Sequence, residues 1–202
     1  MALPHLPAMK LYLASTSPRR RQLLQDLGIP FSLIKPAFFE PEIGFSQNPR
    51  RLAVTLALLK ALSCTPKVKN GIIIGTDTIV VIRNRILGKP ANPAAAKRML
   101  KLLSNKTHQV ITGIALIKMP EKRICTGAET TRVTFRALSD EEIKSYISTP
   151  EPYDKAGAYA IQGRAGLFVE RISGCYLNVI GLPVSLLLKL LQDAGWKNPL
   201  SG

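Results

Sequence analysis

Acidic residues are scarce in this chain. Its 202 residues hold 13 Asp and Glu against 28 Lys and Arg, a formal net charge of +15. Cysteine is scarce as well. Cys64, Cys125 and Cys175 lie far apart and are odd in number, which fits neither a zinc ribbon nor a disulfide framework and leaves reduced thiols as the expectation. Only two histidines are present. His108 has no ligand partner near it in sequence, so a structural role is expected rather than a metal site. No apolar run approaches the length of a membrane span. The first ten residues, MALPHLPAMK, lack the basic start, apolar core and small-residue cleavage site of a secretory leader. These absences together predict a cytoplasmic protein without a membrane anchor.

What is present is ordinary for a globular chain, with 46% hydrophobic and 20% charged residues. The length suits one domain, residues 1–202, with room for a substantial core and for two lobes. No internal repeat, low-complexity tract or long linker divides it. The excess of positive charge points to a polyanionic partner. The basic residues are scattered, however; Arg19-Arg20-Arg21 is the densest cluster and Arg50-Arg51 a weaker second. Aromatics are not interleaved with them as in single-strand binders. A phosphate-rich small molecule needs the same sign of charge and fewer residues, so no stable nucleic-acid complex is expected.

In chain order, Leu11–Ala14 reads as a strand running into Ser15-Thr16-Ser17-Pro18. Ser17 suits an N-cap and Pro18 the first helical position. Leu23, Leu24 and Leu27 form a buried stripe that Gly28 ends. A strand, a hydroxyl-rich turn and a helix start bearing arginines make a plausible phosphate site. Phe31–Ile34 reads as a second strand, residues 49–62 as a helix with Lys60 near its end, and Asn92-Pro93 as the start of a helix with Ala95, Met99 and Leu103 on one face. Lys60, so placed, is ordinarily a solvent-facing residue that suits the helix dipole. Residues 109–118 and 124–136 read as long paired strands, and Ser139-Asp140-Glu141-Glu142 as a capping box. A strand near 168–172, a loop over 174–181 and a helix from Pro183 complete the chain. This is a mixed α/β order with antiparallel pairs at its centre.

The stretch Gly71–Pro90 organises the rest. Ile72–Ile74 reads as a strand buried on both faces, Ile79–Ile82 as a second apolar run, and Thr76-Asp77-Thr78 lies between them. Asp77 among β-branched apolar residues is either the acid of an active site, with Lys89 on the rigid corner Gly88-Lys89-Pro90, or a residue capping a strand turn.

Taken together, the motifs resemble the Maf family of nucleoside triphosphate pyrophosphatases. Ser15-Thr16-Ser17-Pro18-Arg19-Arg20 is similar to its SxSPRR signature. Gly75-Thr76-Asp77-Thr78 with Leu87-Gly88-Lys89-Pro90 resembles its central motif. Glu151–Tyr159 followed by Ile161-Gln162-Gly163 resembles a third, and Asn178–Pro183 a fourth. They stand in the family's order and cover nearly the whole chain. The form with Asp154-Lys155-Ala156-Gly157-Ala158-Tyr159 and Gln162 resembles the branch acting on dTTP and UTP rather than the 7-methyl-GTP branch.

The resemblance implies an α/β fold like that of the Maf and ITPase proteins: a mixed, partly antiparallel central sheet flanked by helices, with two lobes around a cleft. It implies hydrolysis of dTTP and UTP, or of modified pyrimidine triphosphates, to the monophosphate and pyrophosphate. The alternatives are a pyrophosphatase for 7-methyl-GTP or another noncanonical triphosphate, and a nucleotide- or nucleic-acid-binding protein without catalysis. Asp77 would be the proton acceptor. Arg19, Thr78 and Gln162 would set base specificity, and Ser15, Ser17, Lys60, Lys89 and Lys155, with Arg19, would hold the phosphates. A divalent cation, Mg²⁺ or Mn²⁺, would be held by Glu40 and, on chemical grounds apart from the resemblance, by Asp77. The family often has Asp-Glu after the second strand where this chain has Phe39-Glu40, and Glu42 competes for the assignment. A homodimer is also implied.

Overall fold

The strand β3 (Gly71–Ile82) is the one on which the others are laid. The computed structural model describes residues 9–38 and 46–197. Within them β3 joins a seven-stranded sheet of order β2-β1-β3-β5-β6-β7, with β4 also on β3. The strands are β1 (Leu11–Ala14), β2 (Ser32–Ile34), β4 (Arg85–Leu87), β5 (Thr107–Met119), β6 (Arg123–Phe135) and β7 (Val169–Ser173). β1 runs parallel to β2 and β3; the remaining pairs are antiparallel. This is the mixed, partly antiparallel sheet that the sequence predicts.

The expected pair of apolar runs is one continuous strand. β5 pairs with β3 from Gly71↔Met119 to Val81↔Gln109, so Thr76, Asp77 and Thr78 stay in the ladder. The opposite edge of β3 is shared. β1 covers Ile72–Gly75 and β4 covers Val80–Ile82, which leaves the edge between them for a side chain or a ligand.

The helices are α1 (Pro18–Asp26), α2 (Pro49–Leu62), α3 (Pro93–Leu103), α4 (Asp140–Ile147), α5 (Tyr176–Ile180) and α6 (Val184–Asp193). Asn48 caps α2 through Arg51 N at 3.0 Å, and Asn92 caps α3 through Ala95 N at 2.9 Å. Ser139 and Glu142 complete the capping box of α4. Three expectations need correction. Ser17 occupies the N-cap of α1 but its side chain makes no cap bond; its N–H donates instead to Ser15 Oγ at 3.2 Å. The buried stripe of α3 is Ala96, Leu100 and Leu103, because Met99 turns toward the cleft. The expected loop 174–181 contains the short helix α5, which Gly181 ends at φ 119°.

Two glycines decide how closely α2 lies on the sheet. A Cβ on Gly75 would sit 2.1 Å from Ala57 O, and one on Gly113 would sit 2.2 Å from Ala53 O. Only bare backbone lets Ala53, Ala57 and Ala61 seat the helix there. On the other face α1 and α6 bury Leu24, Leu187 and Leu191 against Leu11, Leu13, Ile72, Ile74, Ile114 and Leu116. A second cluster around Val80, Leu100, Phe135, Tyr146 and Phe168 forms the other lobe. No helix of the described residues is long and apolar enough to cross a membrane.

Candidate active site

The close seating of α2 brings Lys60 down onto β3. Lys60 and Asp77 are both 7% exposed, and Nζ lies 2.5 Å from Asp77 Oδ1. Lys60 thus departs from the usual solvent-facing lysine of a last helical turn. The ammonium compensates a carboxylate that would be costly to bury by itself. Asp77 is also cross-strand from Gly113, so the backbone of α2 can approach beside it.

On the other face of β3, Arg20 fills the gap between β1 and β4. Its Nε donates to Gly181 O at 2.8 Å and its Nη2 to Thr78 Oγ1 at 2.8 Å. Nη1 donates to Thr76 O at 3.2 Å and Ser15 Oγ at 3.4 Å. One planar guanidinium fork therefore ties the β1–α1 turn, β3 and the end of α5 together. Behind it, Thr78 Oγ1 meets Thr112 Oγ1 at 2.9 Å. Asn178, fully buried, donates to Val110 O at 3.0 Å and Thr131 Oγ1 at 2.9 Å. These bonds hold α5, and with it the Gly181 carbonyl, against the sheet.

The sequence reading gave Arg20 and Asn178 no role of their own. A signal for Arg20 existed: it precedes Leu24 by four residues, and these two are the buried positions of α1, whereas Leu27 of the expected stripe is exposed. Asn178 offers no such signal, since a polar residue in an apparent loop reads as solvent-facing.

Both faces open into one cleft of about 1140 Å³. Ser15, Ser17, Arg19, Lys60, Asp77, Thr78, Lys89, Lys155 and Gln162 all line it. Glu40 and Glu42, the candidates for a metal ligand, lie outside the described residues. Six cationic side chains (Arg19, Arg20, Lys35, Lys60, Lys89 and Lys155) face two carboxylates, Asp77 and Asp154, among the described lining. Lys35 and Asp154 are additions to the residues singled out from sequence.

Asp154 stands between two of the cations. It is 2.5 Å from Lys155 Nζ and 3.8 Å from Arg19 Nη1. Burial pushes its pKa up, but the Lys155 hydrogen bond and the charges of Lys155 and Arg19 outweigh that, and the net shift is downward. His108 lies behind the wall rather than in the cleft. It is 1% exposed, its Nε2 is 2.7 Å from Tyr159 Oη, and burial lowers its pKa to about 4.

Among the described residues no group of three or more His, Cys, Asp or Glu gathers. That donor set does not make an all-protein metal cage. It does suit a hydrated Mg²⁺ or Mn²⁺, which takes one or two carboxylates and completes its shell with phosphate oxygens and water.

The Maf-like protein family model matches residues 10–194. The chain belongs to the Maf family. Its relatives within that family include a dTTP/UTP pyrophosphatase of Carboxydothermus hydrogenoformans, 49% identical over 188 residues, which covers 93% of this chain and 100% of that protein. A dTTP/UTP pyrophosphatase of Bacillus cereus strain ZK / E33L is 47% identical over 184 residues, covering 91% of this chain and 95% of the relative. Among solved structures, the Staphylococcus aureus Ham1 protein superposes with a TM-score of 0.50 at 15% identity, over 92% of this chain and 99% of that one. That likeness concerns the fold alone. The Maf motifs read from the sequence all contribute to the cleft wall or to its supports.

Proposed function

We propose that the protein hydrolyses dTTP and UTP to the monophosphate and pyrophosphate. The observation that carries this reading is the buried Lys60–Asp77 pair on the floor of a strongly cationic cleft. The excess of positive charge there has the sign and size that a nucleoside triphosphate needs. The names of the curated relatives supply the substrate class.

In this reading Asp77 orients a water molecule toward the α-phosphorus and takes its proton as the new phosphorus–oxygen bond forms. The bond from the α-phosphorus to the bridging oxygen breaks, and pyrophosphate leaves. Lys60 holds Asp77 in position and offsets its charge beside the anionic substrate. Arg19, Lys89 and Lys155, with the hydroxyls of Ser15 and Ser17, hold the phosphate chain at the start of α1, where helix dipole and backbone amides favour anions. Thr78 and Gln162, with Arg19, read the base; a Gln side chain offers both a donor and an acceptor to a pyrimidine edge. Asp77, with Glu40 by the family resemblance, would hold a divalent cation. Such an ion, when bound, neutralises charge on the phosphate oxygens. A homodimer is the state the resemblance implies, in the cytoplasmic setting that the composition predicts, and light scattering on the purified chain tests the oligomeric state.

A substrate panel tests the reading. Pyrophosphate release is measured from the common and 7-methylated nucleoside triphosphates with Mg²⁺ and with Mn²⁺. The reading predicts turnover highest with dTTP and UTP. A panel in which 7-methyl-GTP leads, or in which nothing is hydrolysed, would overturn it.

A further inference from the structure

Glu151 opens the third motif and lies at the edge of the cleft without lining it. Both of its carboxylate oxygens accept hydrogen bonds from protein. Oε1 accepts from Tyr146 Oη at 3.0 Å and Ala165 N at 3.4 Å, and Oε2 accepts from Arg164 N at 3.0 Å. Arg164 and Ala165 begin a 3₁₀ turn, Arg164–Phe168, so Glu151 supplies an anion to donors at the start of that turn. Tyr146 is buried in the second core cluster and packs edge-on against Phe168 at 5.1 Å. Burial and the Glu151 charge both raise its phenol pKa, so it remains a donor.

Gly163 explains how the carboxylate comes so close. A Cβ there would lie 2.2 Å from Glu151 Oε1. The backbone at Gly163 is extended, with φ −111°, so a larger residue is not opposed by its own conformation but would displace the Glu151 carboxylate. Gln162 is the neighbour of Gly163, and its side chain lines the cleft. The backbone of the same glutamate serves the phosphate end: Glu151 O accepts from Lys155 Nζ at 2.9 Å. One residue therefore contacts the segment that follows Gln162 and also bonds Lys155.

We propose that Glu151 is a positioning residue for substrate selection, fixing the loop that carries Gln162 relative to the cation Lys155. It touches no substrate. The inference rests on the reading above in which Gln162 recognises the base.

The test compares dTTP with dGTP by kcat/KM in four single variants and one double variant. Glu151→Gln and Gly163→Ala disturb the contact from its two sides. Each is expected to lower the dTTP preference by about tenfold, mainly through KM for dTTP, with kcat within about threefold of wild type. Tyr146→Phe removes one donor to Oε1 and leaves the backbone N–H bonds of Arg164 and Ala165 in place; it should lower Tm while leaving the preference intact. Gln162→Ala should abolish the preference, and adding Glu151→Gln to it should change the preference no further, as for two residues acting as one unit. If Gln162→Ala abolishes the preference but neither Glu151→Gln nor Gly163→Ala alters it, the positioning role is wrong. If Gln162→Ala itself leaves the preference unchanged, the base-reading assignment is wrong, and the role proposed for Glu151 falls with it. Either of the two contact variants decides the matter if the other does not fold.

Discussion

The two faces of β3 at residues 76–78 are built differently, although they are one residue apart. On the α2 face, Asp77 is paired with the opposite charge of Lys60 at 2.5 Å. On the α1 face, Thr78 is in a web of mostly neutral acceptors gathered by Arg20, with Thr112 and the Gly181 carbonyl close by. A charge pair deep in a cleft is poised for chemistry on a charged substrate. A guanidinium whose fork is directed at backbone carbonyls and hydroxyls is a fastener. In this account the α2 face carries the reaction, and the α1 face holds the frame and presents Thr78 to the substrate.

Substitutions on each side should separate these roles. The largest effects on stability come from removing the cations. Lys60→Met takes the ammonium from beside a buried carboxylate and is expected to cost about 3 kcal/mol in urea denaturation, with loss of turnover. Adding Asp77→Asn should restore much of that stability and none of the activity. Arg20→Met should cost a similar amount, since Thr76 O and Gly181 O lose buried donors. Arg20→Lys should recover little, because an ammonium cannot reproduce the fork. No second substitution at Thr78 should repair it. If Arg20→Met left stability intact and abolished turnover, the division between the faces would be wrong.

Acid should reveal His108, which belongs to neither face. Its pKa is lowered to about 4 in the folded protein, against about 6.5 for an unfolded histidine. Between those values the unfolded chain binds a proton that the native state does not, so stability rises with pH across that window and is lost on acidification. The loss from pH 7 to pH 4 is on the order of 3 kcal/mol. His108→Gln should flatten this part of the curve, although the variant starts from lower stability because Tyr159 loses its partner.

The smallest effect is expected at the rim. Asp154 is paired with Arg19 and Lys155, so in the proposed function it competes with the triphosphate for them. As an exposed ion pair it is worth little, so Asp154→Asn should lower KM for dTTP by only about two- to fivefold at low salt, and by less at high salt.

Much of this design is legible in the sequence, for reasons that differ between elements. Helix α2 is found over the residues expected, because Pro49 starts it and Asn48 caps it. The four motifs converge because each places hydroxyls, cations or small residues at strand ends and turns, where folded chains put their ligand sites. Other features are hidden by their chemistry. Asp77 looks like a break between two strands, yet a carboxylate can sit in mid-strand when a lysine from another element reaches it. Arg20 looks like surface charge, because the carbonyls that bury it come from residues 76 and 181, far away in sequence. The stripe of α3 is misread by one position because Met99, apolar enough for the core, faces the cleft instead. Glu151 reads as one more charge in a dense segment; its role depends on Gly163 and the turn after it. Glu40 lies outside the described residues, so its assignment rests on the family resemblance.

The most direct test of the account is the turnover of Asp77→Asn with dTTP and Mg²⁺, measured by pyrophosphate release alongside its thermal unfolding. Loss of a catalytic base predicts a fall in kcat of about 10²–10⁴-fold in a protein that still unfolds cooperatively with the cleft intact. Turnover within a fewfold of wild type would contradict the account, because Asp77 would then be only the structural partner of Lys60.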